Sequence, residues 1–450
     1  MTSLTPFDPI GGDDALVPSN KMLRAGDIII EDITIESYTG FILNLRGQFI
    51  SMTIYEDLYS NSLSGRLLLT DTLALMRHVP IVGNETVTIK FYTPGDMSGD
   101  KPKTVTFNAF NAMSVSSTTD NSKILSLELV SSEFVEGTTT RFCQSYTKMK
   151  YSEMARSIFK DRISPEGSID IKDTMGYKNI VVPYWTPFYA MNWLCKKSIS
   201  ADDINHCDYM FYQTLDGLYH FMPLSELKRR EVKAKFERYP GGGRTETGEI
   251  NMEVSLRKIK NMVIVQLPDT AKEAANGVYG STLHTLDLVG KEYKQTFYRY
   301  AKEFDKEVGV SKYPIVSLPN HKSESHITNH IMMYPKHTEQ YDGYYNNDNV
   351  ETYASRRNSL MGRMKHQILR LTVPGDSRLR VGDIVEVEVP SFEETLNKDE
   401  YRDIILSGNY MITSIMHKVN EGYYEMDIVV SKDSLDFQLP DSKEQTLRSV

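Results

Sequence analysis

The sequence predicts an α+β fold that is mainly β, with antiparallel sheet at both ends of the chain. Three observations carry this. Between Ile28 and Val130, apolar residues alternate with polar ones in run after run. The same period of two returns between Gln367 and Leu435. Between these blocks the spacing lengthens to that of helices. A period of two buries one face of a strand and wets the other, whereas apolar residues three and four apart line one side of a helix.

Taken in order, residues 1–27 are rich in Pro, Gly and Asp and read as an N-terminal arm. In the first β block, Ile50, Met52 and Ile54 alternate with Ser51 and Thr53, and Val87, Ile89 and Phe91 with Thr88 and Lys90. Val105, Phe107 and Ala109, then Leu125, Leu127 and Leu129, repeat the pattern. Pro94-Gly95-Asp96 and Thr119-Asp120-Asn121 supply turn residues between the runs, so residues 28–130 read as an all-β barrel.

From Glu133 to Lys150 no period emerges. Ser152 is placed to cap a helix carrying Met154, Ala155, Ile158 and Arg162 on one face. Thr186-Pro187 is a stronger start, a hydroxyl followed by Pro at the first helical position, with Phe188, Met191, Leu194 and Cys195 as its stripe and Lys196 and Lys197 near its end. Tyr209–Thr214 and Leu218–Phe221 flank Leu215-Asp216-Gly217 as a hairpin. Glu231–Phe236 and Glu253–Leu267 read as strands on either side of Pro240-Gly241-Gly242-Gly243, and Ala275–Gly280 as a turn. Residues 311–349 read as an extended polar loop, and Val350–His366 as a helix burying Ala354, Leu360, Met361 and Met364.

The C-terminal block is a small antiparallel barrel or sandwich. Leu369, Leu371 and Val373 alternate with Arg370 and Thr372, and Val385, Val387 and Val389 with Glu386 and Glu388 before Pro390 ends the ladder. Tyr424, Met426, Ile428 and Val430 alternate with Glu425 and Asp427 after the Asn420-Glu421-Gly422 loop. Residues 434–450 include a polar tail.

Composition limits the function. A chain of 450 residues divides into roughly two to four domains. Its net charge of −9 argues against a sequence-tolerant grip on nucleic acid, which needs a basic surface. No apolar run approaches the roughly 18 residues of a membrane span, and the N-terminus lacks the basic start and apolar block of a secretory signal. Cys143, Cys195 and Cys207 make no CxxC pair and read as reduced thiols.

No pattern nominates a catalytic, cofactor-binding or metal-binding residue. The triglycine at Gly241 lacks the GK[ST] of a phosphate loop. His326 and His330 share the i, i+4 spacing of zinc ligands without the accompanying glutamate, in a stretch that reads as loop. His206 and Cys207 are adjacent without a nucleophile motif around them. Asp13-Asp14 and Asp202-Asp203 lack the oxygen spacing of a calcium loop. The two tryptophans and 27 tyrosines look like packing and interface material.

Several blocks together resemble the baseplate hub proteins of contractile-tailed bacteriophages. They are LYSNSLSGRLLLTDT at 58–72, VPYWTPFYAMNWLCKKSIS at 182–200, FYQTLDGLYHFMPLSEL at 211–227, ANGVYGSTLHTLDL at 275–288, RLRVGDIVEVEVP at 378–390, LSGNYMITSIMHKV at 406–419 and SKDSL at 431–435. Their order and spread, from about residue 28 to 435, carry the resemblance.

It implies two tube-like β-barrel domains per chain, residues 28–130 and, discontinuously, 223–265 with 350–433. A peripheral α+β domain would comprise 131–222 and 266–349. It also implies a non-enzymatic role as a homotrimeric ring of pseudo-sixfold symmetry, adapting a threefold central spike to a sixfold tail tube. The implied partners are further copies of the chain, the spike, tail tube or tube-initiator proteins and baseplate wedge proteins. Genomic DNA would pass through without specific binding. The chain would be assembled in the host cytoplasm and reside in the virion, with no cofactor. Acidic side chains on the inner wall, Glu386 and Glu388 among the candidates, would repel the phosphate backbone of passing DNA.

Two alternatives share the pattern. One is a tail-associated cell-wall-degrading enzyme, for which Glu339 with Asp348 and Glu394 with Asp403 have muramidase-like spacing but lack the threonine. The other is the hub of a contractile injection machine that carries no DNA.

Overall fold

The structure, a computed structural model, describes residues 22, 24–71, 83, 85–94, 102–119, 122–238, 252–287, 291–314, 330–336, 350–391, 402–420 and 422–438. The N-terminal part contributes β1 (Ile29–Glu36), β2 (Ile42–Asn44), β3 (Phe49–Asp57), β4 (Ser64–Asp71), β5 (Glu85–Tyr92), β6 (Lys103–Thr119) and β7 (Ser122–Ser131). They hydrogen-bond in the order β2-β1-β5-β6-β7-β4-β3, every pair antiparallel. The alternation places Val87, Ile89, Phe91, Val105, Phe107, Leu125, Leu127 and Leu129 inside. Ile50 departs from it. A bulge in the β3–β4 pairing between Phe49 and Ser51 turns Phe49 inward and leaves Ile50 half-buried.

The stretch without a period, 133–150, contains the helix Glu133–Thr139 and β8 (Phe142–Met149). The next helix, Tyr151–Ile158, starts one residue before Ser152, which is buried against Thr174 instead of capping. Met154, Ala155 and Ile158 are buried as expected, but a five-residue π turn, Phe159–Ile163, shifts the face so that Ile163 is buried and Arg162 points out. Then come β9 (Ile169–Ile171), β10 (Lys178–Trp185), the helix Pro187–Lys197 with Thr186 before it, β11 (Tyr209–Gln213) and β12 (Tyr219–Pro223). β8 pairs with β10, and β11, β12 and β9 form a second small sheet; both pack on the two helices around one apolar core.

The remaining strands are β13 (Val232–Glu237), β14 (Asn261–Gln266), β15 (Gly280–Asp287), β16 (Glu292–Arg299), β17 (Tyr313–Pro314), β18 (His330–Lys336), β19 (Gln367–Pro374), β20 (Ile384–Glu388), β21 (Gly408–Asn420), β22 (Tyr423–Lys432) and β23 (Ser434–Leu435). Two expectations are corrected here. Met252–Leu256 is helical and not the start of a strand, since its alternating Met, Val and Leu fit either period over so short a run. The polar loop at 311–349 contains β17 and β18, and β18 runs parallel to β15. A pairing partner that far away in sequence leaves no local signal.

β14, β19, β22, β21, β20 and β13 follow one another by hydrogen bonds, and a parallel bridge between Glu237 and Lys258 carries β13 back to the start of β14. This second set is joined to the first. The C-terminal half of β21 pairs with β3, with Val419 opposite Met52, His417 opposite Ile54 and Ile415 opposite Glu56. The two strand-rich ends of the chain therefore share one 13-stranded sheet and one hydrophobic core, running from Ile28 to Val430. The helix Val350–Arg363 leads into β19 and packs on β15 through Leu283, Tyr353 and Leu360.

Gly375 fixes how the β19 turn lies on β22. Its N–H donates to the Tyr424 carbonyl at 2.8 Å, and a Cβ at this position would stand 2.0 Å from the fully buried Tyr424 ring. Gly375→Ala is expected to lower unfolding free energy by about 1–3 kcal/mol through overpacking. Gly47→Ala, with open space around it, should change little. Chemical denaturation of the two variants checks this.

Candidate functional site

β21 is the point from which the candidate site is built. β22 occupies one of its edges; on the other edge β20 pairs with residues 408–411 and β3 with 414–420. A bulge between Ile412 and Ser414 marks the hand-over, and there Leu58 N donates to the Thr413 carbonyl and Gly382 N to that of Ile412. Beneath this seam lies a buried polar group. His417 Nδ1 is 2.6 Å from the Tyr424 hydroxyl and its Nε2 3.4 Å from Glu56, whose other oxygen accepts from Val381 N at 3.2 Å. Each side chain is fully buried, so the trio acts as a tie between sheet halves and presents nothing to a substrate.

A second buried cluster joins the segment after β16 and the helix Val350–Arg363 to the end of β22. Glu307, after β16, meets Arg363 at the end of the helix, and accepts from Tyr298 at 3.0 Å and Arg356 at 3.2 Å. Arg363 lies over the rings of Tyr300 and Phe304. Nearby, Lys228 and Asp433 pair at 2.9 Å with both side chains fully buried, and Val310 N donates to Asp433. Burial pushes the Asp433 carboxyl up, but the positive charges of Lys228 and Arg363 and these hydrogen bonds outweigh it and hold it well below 3.8.

The residues weighed from the sequence are not brought together into a site. The buried His206 ring faces Asp203 at 3.5 Å, and burial lowers its pKa from 6.5. Cys207 points the other way, toward the Tyr353 carbonyl at 3.8 Å, and burial raises its thiol far above the ordinary range. Cys195 is likewise buried, its thiol pushed up to about 12, while Cys143 is exposed. Asp203 accepts from Asn205 and is engaged in its own turn. His330 begins a strand and not a helix. Gly241, His326, Glu339, Asp348, Glu394 and Asp13-Asp14 lie outside the described residues. Among the described residues, no group of three His, Cys, Asp or Glu side chains is placed to hold a metal ion, and no helix is long and apolar enough to cross a membrane.

Surface features are therefore the functional candidates, and sequence patterning gave little warning of them. Both ends of the strand path through the large sheet are apolar and exposed: β14 with Val263, Ile264 and Val265, and the β1–β2 hairpin with Tyr38, Phe41 and Ile42. A third exposed face, on the sheet β16-β15-β18, carries Phe297, Ile331 and Met333. Such edges and patches mark interaction surfaces in folded proteins. Glu386 and Glu388, the acidic-wall candidates, are tied to cations: Glu388 to Lys235 at 2.6 Å and Glu386 to Arg402 at 3.6 Å.

Removing one member of the buried pair should be costly. Asp433→Ala, which strands Lys228 in the interior, is expected to lower stability by about 3–5 kcal/mol. Because the folded pKa of Asp433 is depressed, its contribution is complete above the ordinary value of 3.8 and fades as the pH falls below it. The gap between wild type and variant should accordingly narrow on acidification below that point, as measured by denaturation across pH.

No protein-family model and no curated protein matches the chain. Its fold does match solved structures. The tail protein from Neisseria meningitidis MC58 aligns with a TM-score of 0.52 at 10% identity, covering 89% of this chain and 96% of that one. The 43 kDa tail protein of prophage MuSo2 from Shewanella oneidensis aligns with a TM-score of 0.52 at 10% identity, covering 89% and 98%. Over nearly its whole length, then, this chain is similar in fold to phage tail proteins.

Proposed function

We propose that the chain is a structural subunit of a contractile phage tail, the hub protein of its baseplate. The observation that carries this reading is the joining of two strand sets along β3 and β21 into one sheet, in a chain whose fold resembles tail proteins over 89% of its length. Residues 28–130 are the first tube-like unit, and 223–265 with 350–433 the second. Residues 131–222 and 266–349 lie at the periphery.

Three chains with two units each present six similar units to a sixfold tail tube and three whole subunits to a threefold spike. That is the physical use of two units in one chain: a symmetry mismatch is absorbed within the subunit. Strand edges that are hazardous on a monomer are paired in such a ring. The role is mechanical, and it needs no catalytic group. The spike, the tube and the wedge proteins are the partners, DNA is the cargo, and the virion baseplate is the location.

Light scattering on the full chain, alone and with its spike protein, tests the reading. The expected result is a particle of three times the 51.4 kDa chain mass, ring-shaped when imaged. A stable monomer that forms no ring with the spike would overturn it. Zymography on purified cell walls should show no lysis; clear lysis would favour the cell-wall-degrading alternative.

A further inference from the structure

The two-stranded sheet β8–β10 and the helix Pro187–Lys197 build an aromatic, basic face that the tail reading does not use. Both tryptophans of the chain are here. Trp185 meets Tyr189 at 5.0 Å and Trp193 at 5.4 Å, and Trp193 continues inward to the buried Tyr151 at 6.3 Å. Outside this ladder, Tyr184 is 66% exposed, Val181 63% and Tyr189 54%. Tyr184 has a φ of 51°, a conformation uncommon for a bulky residue, and Arg141 lies over its ring. Lys197 lies over Trp193.

These elements are basic in sequence: residues 141–150 and 178–200 hold Arg141, Lys148, Lys150, Lys178, Lys196 and Lys197 and not one Asp or Glu, in a protein of net charge −9. Lys178 is buried and Lys150 pairs with Asp173 at 3.4 Å, while Arg141, Lys148 and Lys196 are exposed and Lys197 half-buried. Among the described residues β10 pairs with β8 alone, and Pro183 within it has no N–H to donate to another strand. A partner therefore meets side chains here, and not the backbone edge.

The complementary surface is on the same chain. Residues 27–45 hold Asp27, Glu31, Asp32 and Glu36 and no Lys or Arg. They fold into the β1–β2 hairpin, the end of the large sheet, closed by Ser37 N donating to the Phe41 carbonyl at 2.8 Å. Its tip exposes Tyr38, Phe41 and Ile42. Gly40 at the tip is itself exposed, with nothing within 4 Å of a Cβ built on it.

We propose that the acidic, apolar β1–β2 hairpin of one copy docks on the basic, aromatic face around Trp185 and Tyr189 of the next. Unlike surfaces joined in this way make a head-to-tail contact, the kind that closes into a ring. Aromatic residues and arginine at the centre with charge pairs around them match the anatomy of strong protein interfaces. This rests on the reading of the chain as a ring-forming subunit, and names the contact that would close the ring.

Charge reversal on the full-length chain tests it. One variant carries Arg141→Glu and Lys197→Glu, a second Glu31→Lys and Glu36→Lys, and a third all four. In a concentration series, wild type should gain mass by light scattering while its tryptophan emission moves to shorter wavelength. Each two-site variant should require on the order of tenfold more protein to assemble. The four-site variant should recover assembly, which a folding defect would not. Assembly that ignores the reversals, or emission that stays fixed as mass grows, overturns the pairing and leaves the ring reading standing. A chain monomeric at every concentration also overturns the pairing, whereas rings that form only on the spike still support the hub.

Discussion

A β-strand has two edges, and β21 must serve three partners. β22 takes one edge along its length, so β20 and β3 share the other, and the bulge at 412–414 is where the backbone passes from one to the next. Without β3, the half of β21 that carries Ile415 and Val419 would be an open apolar edge. The first strand set is thus not an accessory to the second. Each covers an edge the other cannot leave exposed, and one hydrophobic core runs beneath both.

The polar groups buried in this arrangement govern fit more than stability. An ion pair in the interior adds little over a well-packed apolar replacement, yet losing one partner is costly. Glu56 with His417 lies where β3 meets β21, and Lys228 with Asp433 where the segment after β12 meets the end of β22. Arg363 with Glu307 lies where the long helix meets the segment after β16. Each tie joins segments distant in sequence, so a shifted packing would leave a charge unmatched.

The sequence's candidate chemical residues are occupied in the interior. The adjacent His206 and Cys207 face different neighbours in the interior, and Cys207 is held as a neutral thiol by burial. What the molecule presents outward is apolar at both ends of its sheet, aromatic and basic around Trp185, and acidic along β1.

By itself the sequence determined the elements with a strong local period. The strands through Val87, Phe107, Leu127, Leu371 and Val387, and the helix that begins at Pro187, form where their residues place them, because alternation and a first-turn proline act over a few neighbours; Thr186 itself makes no side-chain cap bond. It did not determine the π turn that turned Arg162 outward, the parallel strand β18 or the helix at Met252–Leu256, each of which depends on contacts outside its own stretch. The block at 182–200 was visible as a motif, but only folding gathered its two tryptophans and two lysines with Arg141 onto one face. Likewise, alternation in Gln367–Leu435 announced a barrel or sandwich, while its union with Ile28–Val130 through β21 was decided by tertiary structure. A strand's sequence specifies which of its faces is buried; which strand takes its edge depends on what the rest of the chain leaves unpaired.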